Sequence, residues 1–171
     1  MAARVKKATH IAADGGVTMV DVSHKPDTAR SARAEAFVTM SAAARKALQA
    51  ATLPKGDAFV AAQLAGIAAA KQTATLIPLA HALPLSSVDV ALHWVGDALR
   101  IEARARTVAA TGVEMEALVA AAIAALTIYD MSKALDKSIA VESVRLIEKQ
   151  GGKSGGWVRS DRKKGRSNTR V

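Results

Sequence analysis

Residues 86–110, SSVDVALHWVGDALRIEARARTVAA, decide the fold class. Small or apolar side chains alternate with polar ones on both sides of Gly96 and Asp97, and a turn signal between two alternating runs is typical of a β-hairpin. The segment that follows, residues 111–137, has instead the spacing of a long apolar helix. A hairpin that leads into such a helix predicts a sheet covered by helices.

Three more strands are predicted on either side of this region: GVTMVDVS (16–23), RAEAFVTM (33–40) and IAVESVRLIEK (139–149). Two helices fit between them, since Ser41 is placed to cap one and Asp57 the next. The order β, β, α, α, β, β, α, β favours hairpin neighbours over parallel crossovers. We therefore predict an α+β fold, a mostly antiparallel sheet with helices packed on one face.

The length of 171 residues is that of one domain with tails. We place a basic N-terminal tail at 1–9, a single domain at 10–150, and a glycine-rich, then basic, C-terminal tail at 151–171. Half of the residues are hydrophobic but only 3% are aromatic, so the core must consist of Ala, Val, Leu and Ile. Alanine buries little area, and we expect subunit association to bury more.

The net charge of +9 lies in the tails. From Gly151 onward seven Lys or Arg residues face one acid, and Arg4, Lys6 and Lys7 add three more charges, whereas residues 8–150 carry fourteen basic and fourteen acidic side chains. Such tails are usually solvated, and nucleic-acid binding is not favoured. A module that binds polyanions through its tails stays open as a rival.

Several classes of function are excluded by composition. Without cysteine there is no disulfide, thiolate metal site or cysteine nucleophile. The stretch MAARVKKATH (1–10) lacks the apolar segment of a signal peptide, and no apolar run reaches the ~18 residues that indicate a membrane helix. We expect a cytoplasmic protein with no membrane contact.

Two other motifs carry little chemistry. GGKSGG (151–156) is not a Walker A motif, because the required first glycine would fall at Ile147. A flexible linker is favoured, although Lys153 alone could still contact a phosphate. The four histidines show no metal-ligand spacing.

A few polar residues stand out in this apolar chain. Lys55, in PKGD, precedes a predicted helix N-terminus and is either part of an anion site or a solvated loop lysine. Asp130 and Lys133 share a helix face as an exposed pair or as a carboxylate and an amine for proton transfer. Because Ile128, Tyr129 and Met131 surround Asp130, we expect this pair to be partly buried.

His81 and two glutamates complete the set. His81 lies in the apolar segment LIPLAHALPL (76–85), either as a hydrogen-bonded structural residue or as a ligand. Thr111 and Glu114 fit a capping box, which gives Glu114 a structural role. No such role is available to Glu116.

Seven segments, in this order and spacing, resemble the molybdenum cofactor biosynthesis protein C family, the cyclic pyranopterin monophosphate synthases. They are MVDVS, ARAEAFVTM, PKGD, AGIAAAKQTATLIPLAH, TGVEMEAL, LTIYDMSKA and GGKSG, and the resemblance covers roughly residues 10–155. It implies a ferredoxin-like subunit in a homohexamer of three dimers, with each active site at a dimer interface. It also implies conversion of 3′,8-cyclised dihydro-GTP into cyclic pyranopterin monophosphate and pyrophosphate, without a redox cofactor.

The resemblance also implies roles for individual residues. Asp130 matches the acid/base aspartate of the family, and Lys133 and Lys55 match its catalytic lysines. The positions that match its substrate-binding segments are Leu79, Ala80, His81, Met115 and Glu116. The positions that match its cationic contacts, which we assign to the triphosphate, are Arg30, Lys149 and Lys153. No protein metal site is implied, and Mg²⁺ carried by the triphosphate is left open.

One departure concerns the histidine loop. The family usually has Leu-Cys-His-Pro there, whereas this chain has Leu79, Ala80, His81 and Ala82, with the proline displaced to Pro84. A catalytically silent family member that serves as a subunit or regulator is therefore a second rival. The presence of all the other matched residues favours an active enzyme.

Overall fold

The computed structural model describes residues 15–160. The predicted N-terminal tail (1–9), the first residues of the predicted domain (10–14) and the end of the predicted C-terminal tail (161–171) lie outside the described residues.

The described chain forms one five-stranded sheet. In chain order its strands are β1 (Thr28–Thr39), β2 (Leu85–Val95), β3 (Ala98–Ala109), β4 (Ala140–Gln150) and β5 (Trp157–Val158). Their order in space is β2-β3-β1-β4-β5, and all neighbours are antiparallel. The hairpin predicted around Gly96 and Asp97 is confirmed as β2 and β3.

Helices fill the connections between these strands. They are α1 (Ala42–Gln49), α2 (Ala58–Lys71), α3 (Thr73–Leu76) and α4 (Glu114–Ser132). Ser41 caps α1 and Asp57 caps α2 through their side-chain oxygens, as predicted. With α2 and α4 as the two main helices, the order β-α-β-β-α-β of the first four strands is ferredoxin-like. The predicted α+β class is confirmed.

The core lies between one face of the sheet and the pair α2 and α4. Alternate residues of β1 are fully buried there and are small: Ala32, Ala34, Ala36 and Val38. Small residues also lie at the contact between α2 and α4, and the two helices therefore pack closely. The clearest case is Gly66 of α2, where an added Cβ atom would lie 2.9 Å from the backbone oxygen of Ala120 in α4.

Helix α4 has the length and composition of a membrane span, with 19 residues and a mean hydropathy of 1.4. Half of that apolar stretch is buried inside the protein, where α4 contacts α2 and strands β1, β3 and β4. These contacts are those of the core helix of a globular domain. Our expectation that no segment would reach membrane length was therefore wrong, although no membrane is indicated.

The predicted strand at residues 16–23 is wrong as well, because the segment contains only an isolated bridge at Val17. The carboxylate of Asp21 accepts a hydrogen bond from the Ser23 amide at 2.9 Å. Such local bonding turns the backbone and competes with strand pairing. The alternating pattern therefore belongs to a loop rather than to a strand.

The predicted capping box at the start of α4 is not formed either. Val113 occupies the N-cap position and makes no side-chain cap bond. The Glu114 carboxylate instead covers Gly112 and lies 3.4 Å from Lys149 Nζ. An oppositely charged neighbour from β4 therefore takes the place of the predicted local bond.

Strand β5 lies inside the segment that we predicted as a tail. Trp157 and Val158 pair with Lys149 and Glu148 of β4. The Arg159 amide donates to the carbonyl oxygen of Ile147 at 2.8 Å, which continues the pairing beyond the strand. The sheet therefore extends past the glycine-rich turn at 151–156.

Candidate active site

Asp130, near the end of α4, binds two lysine ammonium groups. Its Oδ1 atom lies 2.7 Å from Lys133 Nζ, and its Oδ2 atom lies 2.9 Å from Lys55 Nζ. Lys55 also donates to the backbone oxygen of Asp130 at 3.0 Å. Lys133 follows Asp130 by three residues in the chain, whereas Lys55 comes from the loop between α1 and α2. The structure thus brings together the three residues that we predicted as catalytic.

This cluster is exposed, with Asp130 at 54%, Lys133 at 52% and Lys55 at 47%. The expectation of a partly buried pair is wrong, because the helix directs Ile128 into the core and Asp130 away from it. Hydrogen bonds from Lys133 and then Lys55 lower the pKa of Asp130 to about 2. The same contact raises the pKa of Lys133. At neutral pH the Asp130 carboxylate is therefore ionised and the Lys133 amine is protonated.

The loop before α2 directs Lys55 towards α4. Gly56 has a φ of +92°, a left-handed conformation that favours glycine, and it turns the chain between Lys55 and Asp57. The first amides of α2, those of Phe59 and Val60, are already bonded to the Asp57 carboxylate. An anion site between Lys55 and the start of α2 was one of our two readings, and it is wrong because both groups have other partners.

A cavity of about 440 Å³ lies at the opposite end of α4. It gathers the five predicted substrate-binding residues Leu79, Ala80, His81, Met115 and Glu116. His81 Nε2 is hydrogen-bonded to the backbone oxygen of Val20 at 2.9 Å. The imidazole therefore has a structural partner, as one of our two readings required, and it also lines the cavity.

Glu116 is the buried carboxyl group of this cavity, with 3% of its surface exposed. Burial raises the pKa of Glu116, and the charge of Glu114 raises it further. A carboxyl group of this kind can hold a proton under conditions in which Asp130 cannot. The two acids are thus suited to different steps of proton transfer.

A basic cavity of about 740 Å³ adjoins the first one, because Lys25 and Thr111 line both. Arg30 and Lys153, two of the predicted triphosphate contacts, also line it. The walls therefore supply several cations. Lysine and arginine are the side chains that proteins use to bind phosphate groups.

Arg30 and Lys149 are held in place by neighbours. The Arg30 guanidinium donates to the backbone oxygens of Ala109 and Ala110 at 2.9 and 3.0 Å. Lys149 Nζ donates to Ser154 Oγ at 3.0 Å, and Ser154 lines the basic cavity. Lys149 therefore lies at the border of this cavity rather than in its wall.

Sequence reasoning missed His24 and Lys25, which line the basic cavity, and the contact of Val20 with His81. These residues belong to the loop that we mistook in part for a strand. Nothing in their local pattern indicated that this loop folds against the start of α4. Among residues 15–160, no cluster of three His, Asp or Glu side chains could hold a metal ion.

The predicted site residues form two groups at opposite ends of α4. From Glu116 to Asp130 an α-helix rises by about 21 Å. The cluster of Asp130, Lys133 and Lys55 and the two cavities are each assembled within the chain, but the chain does not bring the two groups together.

The fold and these two groups define a small α+β subunit that carries an exposed cluster of two amines and a carboxylate and, apart from it, a basic cavity. The chain belongs to the MoaC family, whose model matches residues 19–152. It is 50% identical over 153 residues to the cyclic pyranopterin monophosphate synthase of Corynebacterium glutamicum (strain R), which covers 90% of this chain and 98% of that protein. The protein of that name from Corynebacterium efficiens is also 50% identical, over 90% of this chain and 99% of its own length.

Proposed function

We propose that this chain carries out its reaction at a site shared by two protomers. The activity is that of a cyclic pyranopterin monophosphate synthase, a lyase of molybdenum cofactor biosynthesis, since relatives of that name match 90% of the chain. Its substrate is a small molecule derived from a nucleotide. We take this to be 3′,8-cyclised dihydro-GTP, with cyclic pyranopterin monophosphate and pyrophosphate as products, and we place the enzyme in the cytoplasm.

The separation of the two residue groups along α4 carries the proposal of a shared site. A ligand in the cavity at Glu116 lies about 20 Å from Asp130 of the same chain, too far for proton transfer. In a dimer whose two-fold axis sets the α4 helices of the two protomers antiparallel, the amine cluster of one protomer would lie at the cavity of its partner. Three such dimers in a homohexamer are the assembly that we propose.

The contacts within the cluster support the roles that we propose for the catalytic groups. Lys133 and Lys55 act as proton donors while the purine-derived ring is opened and rebuilt. Asp130 stays ionised and orients the two ammonium groups through its two oxygens. Glu116, whose pKa is raised by burial, exchanges a proton from the other side of the substrate.

The basic cavity holds the triphosphate in this proposal. Arg30, Lys149 and Lys153, with Lys25, neutralise its charge and position it for cyclisation and loss of pyrophosphate. No resident cofactor is proposed, and any Mg²⁺ enters with the triphosphate as part of the substrate.

Product formation tests the activity directly. Purified protein receives the cyclised GTP intermediate, and pyrophosphate and pterin are both quantified. We expect the two products in equal amounts from the native chain and a loss of at least about a hundredfold in kcat for Lys133→Ala. Correctly folded native protein that forms neither product would refute the assignment.

Mixing inactive variants tests the shared site. Lys133→Ala and Glu116→Ala chains, mixed and reassembled, should regain about a quarter of native turnover, because half of the random dimers are mixed and each contains one intact site. The matched control mixes Lys133→Ala with Lys55→Ala, which damage the same half, and should regain nothing. No recovery in the first mixture, with exchange of subunits verified by mass spectrometry, would place each site within one chain.

Two rivals are answered by separate variants. The silent-member reading rests on Ala80 and Ala82, but the bond from His81 to Val20 holds the loop without a proline at position 82. We expect Ala80→Cys to leave turnover within about threefold of native. Deletion of residues 161–171, which leaves β5 intact, should likewise spare turnover, whereas a polyanion-binding function would be lost with this tail.

A further inference from the structure

A third large cavity, of about 640 Å³, opens on the sheet where β1, β3 and the end of β4 meet. Its polar lining is dominated by arginine. Among the residues that line it are four arginines and two neutral polar residues: Arg30, Arg33, Arg104 and Arg106, with Ser86 and Gln150. Glu148 is the one carboxylate among the residues that line it, so positive charge is in excess.

These arginines lie close together on neighbouring strands, an arrangement of like charges that is unfavourable in a sheet. Arg33 of β1 lies directly opposite Arg104 of β3 in the strand register, and Arg106 lies opposite Ser31. Like charges in directly opposed positions destabilise a sheet. This arrangement needs a compensating negative charge.

The described part of the chain supplies only part of that charge. Arg33 lies 3.4 Å from both Glu102 and Glu148, yet its Nε atom is buried without a hydrogen-bond partner. Within residues 15–160, neither Arg104 nor Arg106 forms an ion pair. Asp89 of β2 is the cross-strand neighbour of Arg104, but their charged atoms are not within 4.0 Å.

The other end of the same sheet face shows the contrast. There the Glu35 carboxylate accepts hydrogen bonds from Arg100 at 2.7 Å and from Arg145 at 2.6 Å. Both arginines are thus paired with a buried acid. Arg104 and Arg106, by contrast, have no acidic partner among residues 15–160, and both line the cavity, where a ligand has room to bind them.

We propose that this cavity is a second anion site, which binds an oligophosphate group, either inorganic pyrophosphate or the phosphate tail of a nucleotide. One guanidinium group can donate two parallel hydrogen bonds to the oxygens of a phosphate. Three such groups, from Arg33, Arg104 and Arg106, line this cavity. Its volume is within the range of small-molecule sites. Glu148 and Asp89 limit the positive area to the size of the cavity, which favours a small ligand over a nucleic acid.

This site is distinct from the proposed triphosphate site. Of the cations that line the two cavities, only Arg30 is common to both. The Arg30 guanidinium is bonded to the backbone at Ala109 and Ala110 and forms part of the wall between them. The proposal does not depend on the synthase reaction, because binding is measured without substrate.

Calorimetric titration of the assembled protein with inorganic pyrophosphate tests it. We expect two classes of site per chain. The Arg104→Gln/Arg106→Gln variant should lose one class, with an affinity weakened at least about tenfold, and should keep kcat within about twofold of native. Lys153→Gln should weaken the other class. The matched control, Lys46→Gln/Lys71→Gln, removes two exposed helix charges and should retain both classes.

Further titrations separate the sources of the ligand. If pyrophosphate and GTP bind the second class of site with equal affinity, the ligand is an inorganic anion. If GTP binds more tightly than pyrophosphate, the ligand is a nucleotide. Guanosine, which has no phosphate, should not bind. Pyrophosphate should also raise the Tm of the Lys153→Gln protein but not that of a variant that combines Lys153→Gln with the two arginine substitutions. Two intact classes in Arg104→Gln/Arg106→Gln, an equal loss in the lysine control, or a single class removed by Lys153→Gln would each overturn the proposal.

Discussion

Replacement of Gly66 by alanine should destabilise the protein, although the same change at an open helix position stabilises. In α2 the added Cβ would lie 2.9 Å from the backbone oxygen of Ala120, 3.1 Å from Val90 Cγ2 and 3.3 Å from Ala124 Cβ. The Ala120 oxygen belongs to the backbone of α4, so relief requires the two helices to move apart. Overpacking by one such group costs about 1–3 kcal/mol.

Helix propensity acts in the opposite direction. Alanine is favoured over glycine by about 1 kcal/mol inside a helix. The net effect on the free energy of unfolding is then a loss of about 1 kcal/mol, or about 2–4 °C in Tm for a chain of this size. Ala68 lies on the exposed side of α2, and Ala68→Gly measures the propensity alone as the matched control.

Thermal unfolding at one fixed protein concentration measures both variants, since association makes Tm depend on concentration. We expect Ala68→Gly and Gly66→Ala both to lower Tm, and Gly66→Val to lower it further. A rise of about 2–4 °C for Gly66→Ala would mean that propensity decides and that close contact between α2 and α4 is not a constraint.

Three further predictions concern acids. At low pH, kcat should fall as Glu116, whose pKa is raised by burial, becomes protonated, and not with Asp130, whose pKa is about 2. The Asp130→Asn variant should have a kcat about a hundredfold lower and should keep this fall at low pH. Disappearance of the fall in Asp130→Asn would contradict the assignment. Burial acts to raise the pKa of Glu35, but its two arginine partners outweigh burial and lower it below the ordinary value of 4.5. The stabilisation from this contact is therefore fully present above that pH and is lost as the pH falls further. Urea unfolding of Glu35→Gln should show a loss of about 2–3 kcal/mol at pH 7 that shrinks towards pH 3, and a constant difference would refute this. Hydrogen bonds from Ser138 and Ser41 lower the pKa of Asp136 to about 2, so Asp136→Ala should lower Tm at pH 6, with a difference from native protein that disappears as the pH falls from about 4 towards 2.

Local patterns predicted most of this fold because the decisive signals are short-range. The turn at Gly96 and Asp97 lies between two alternating strands, and the caps Ser41 and Asp57 bond to amides two or three residues away. Such contacts can be read from adjacent residues. The failed predictions depend on distant partners, as where Lys149 of β4 draws Glu114 away from the predicted capping box.

The same distinction applies to the site. Asp130 and Lys133 share a helix turn, so their pairing followed from spacing, whereas their exposure depended on how α4 faces the sheet. The contacts of Asp130 with Lys55 and of His81 with Val20 join segments far apart in the chain. Residue type and resemblance could indicate a role for Lys55 or His81. Neither could indicate the atom that each one meets.

The alanine-rich helices α2 and α4 set the geometry of both halves of the site. Helix α2 begins just after Lys55 and leads through α3 to His81, and α4 carries Glu116 near its start and Asp130 near its end. The two helices therefore run in opposite directions, so one contact surface fixes both the approach of Lys55 to Asp130 and the closure of the cavity at His81. Because small residues such as Gly66 let the helices approach closely, a shift of α2 by even a few tenths of an ångström is shared by both ends. Gly66→Ala should thus lower kcat without any contact with substrate.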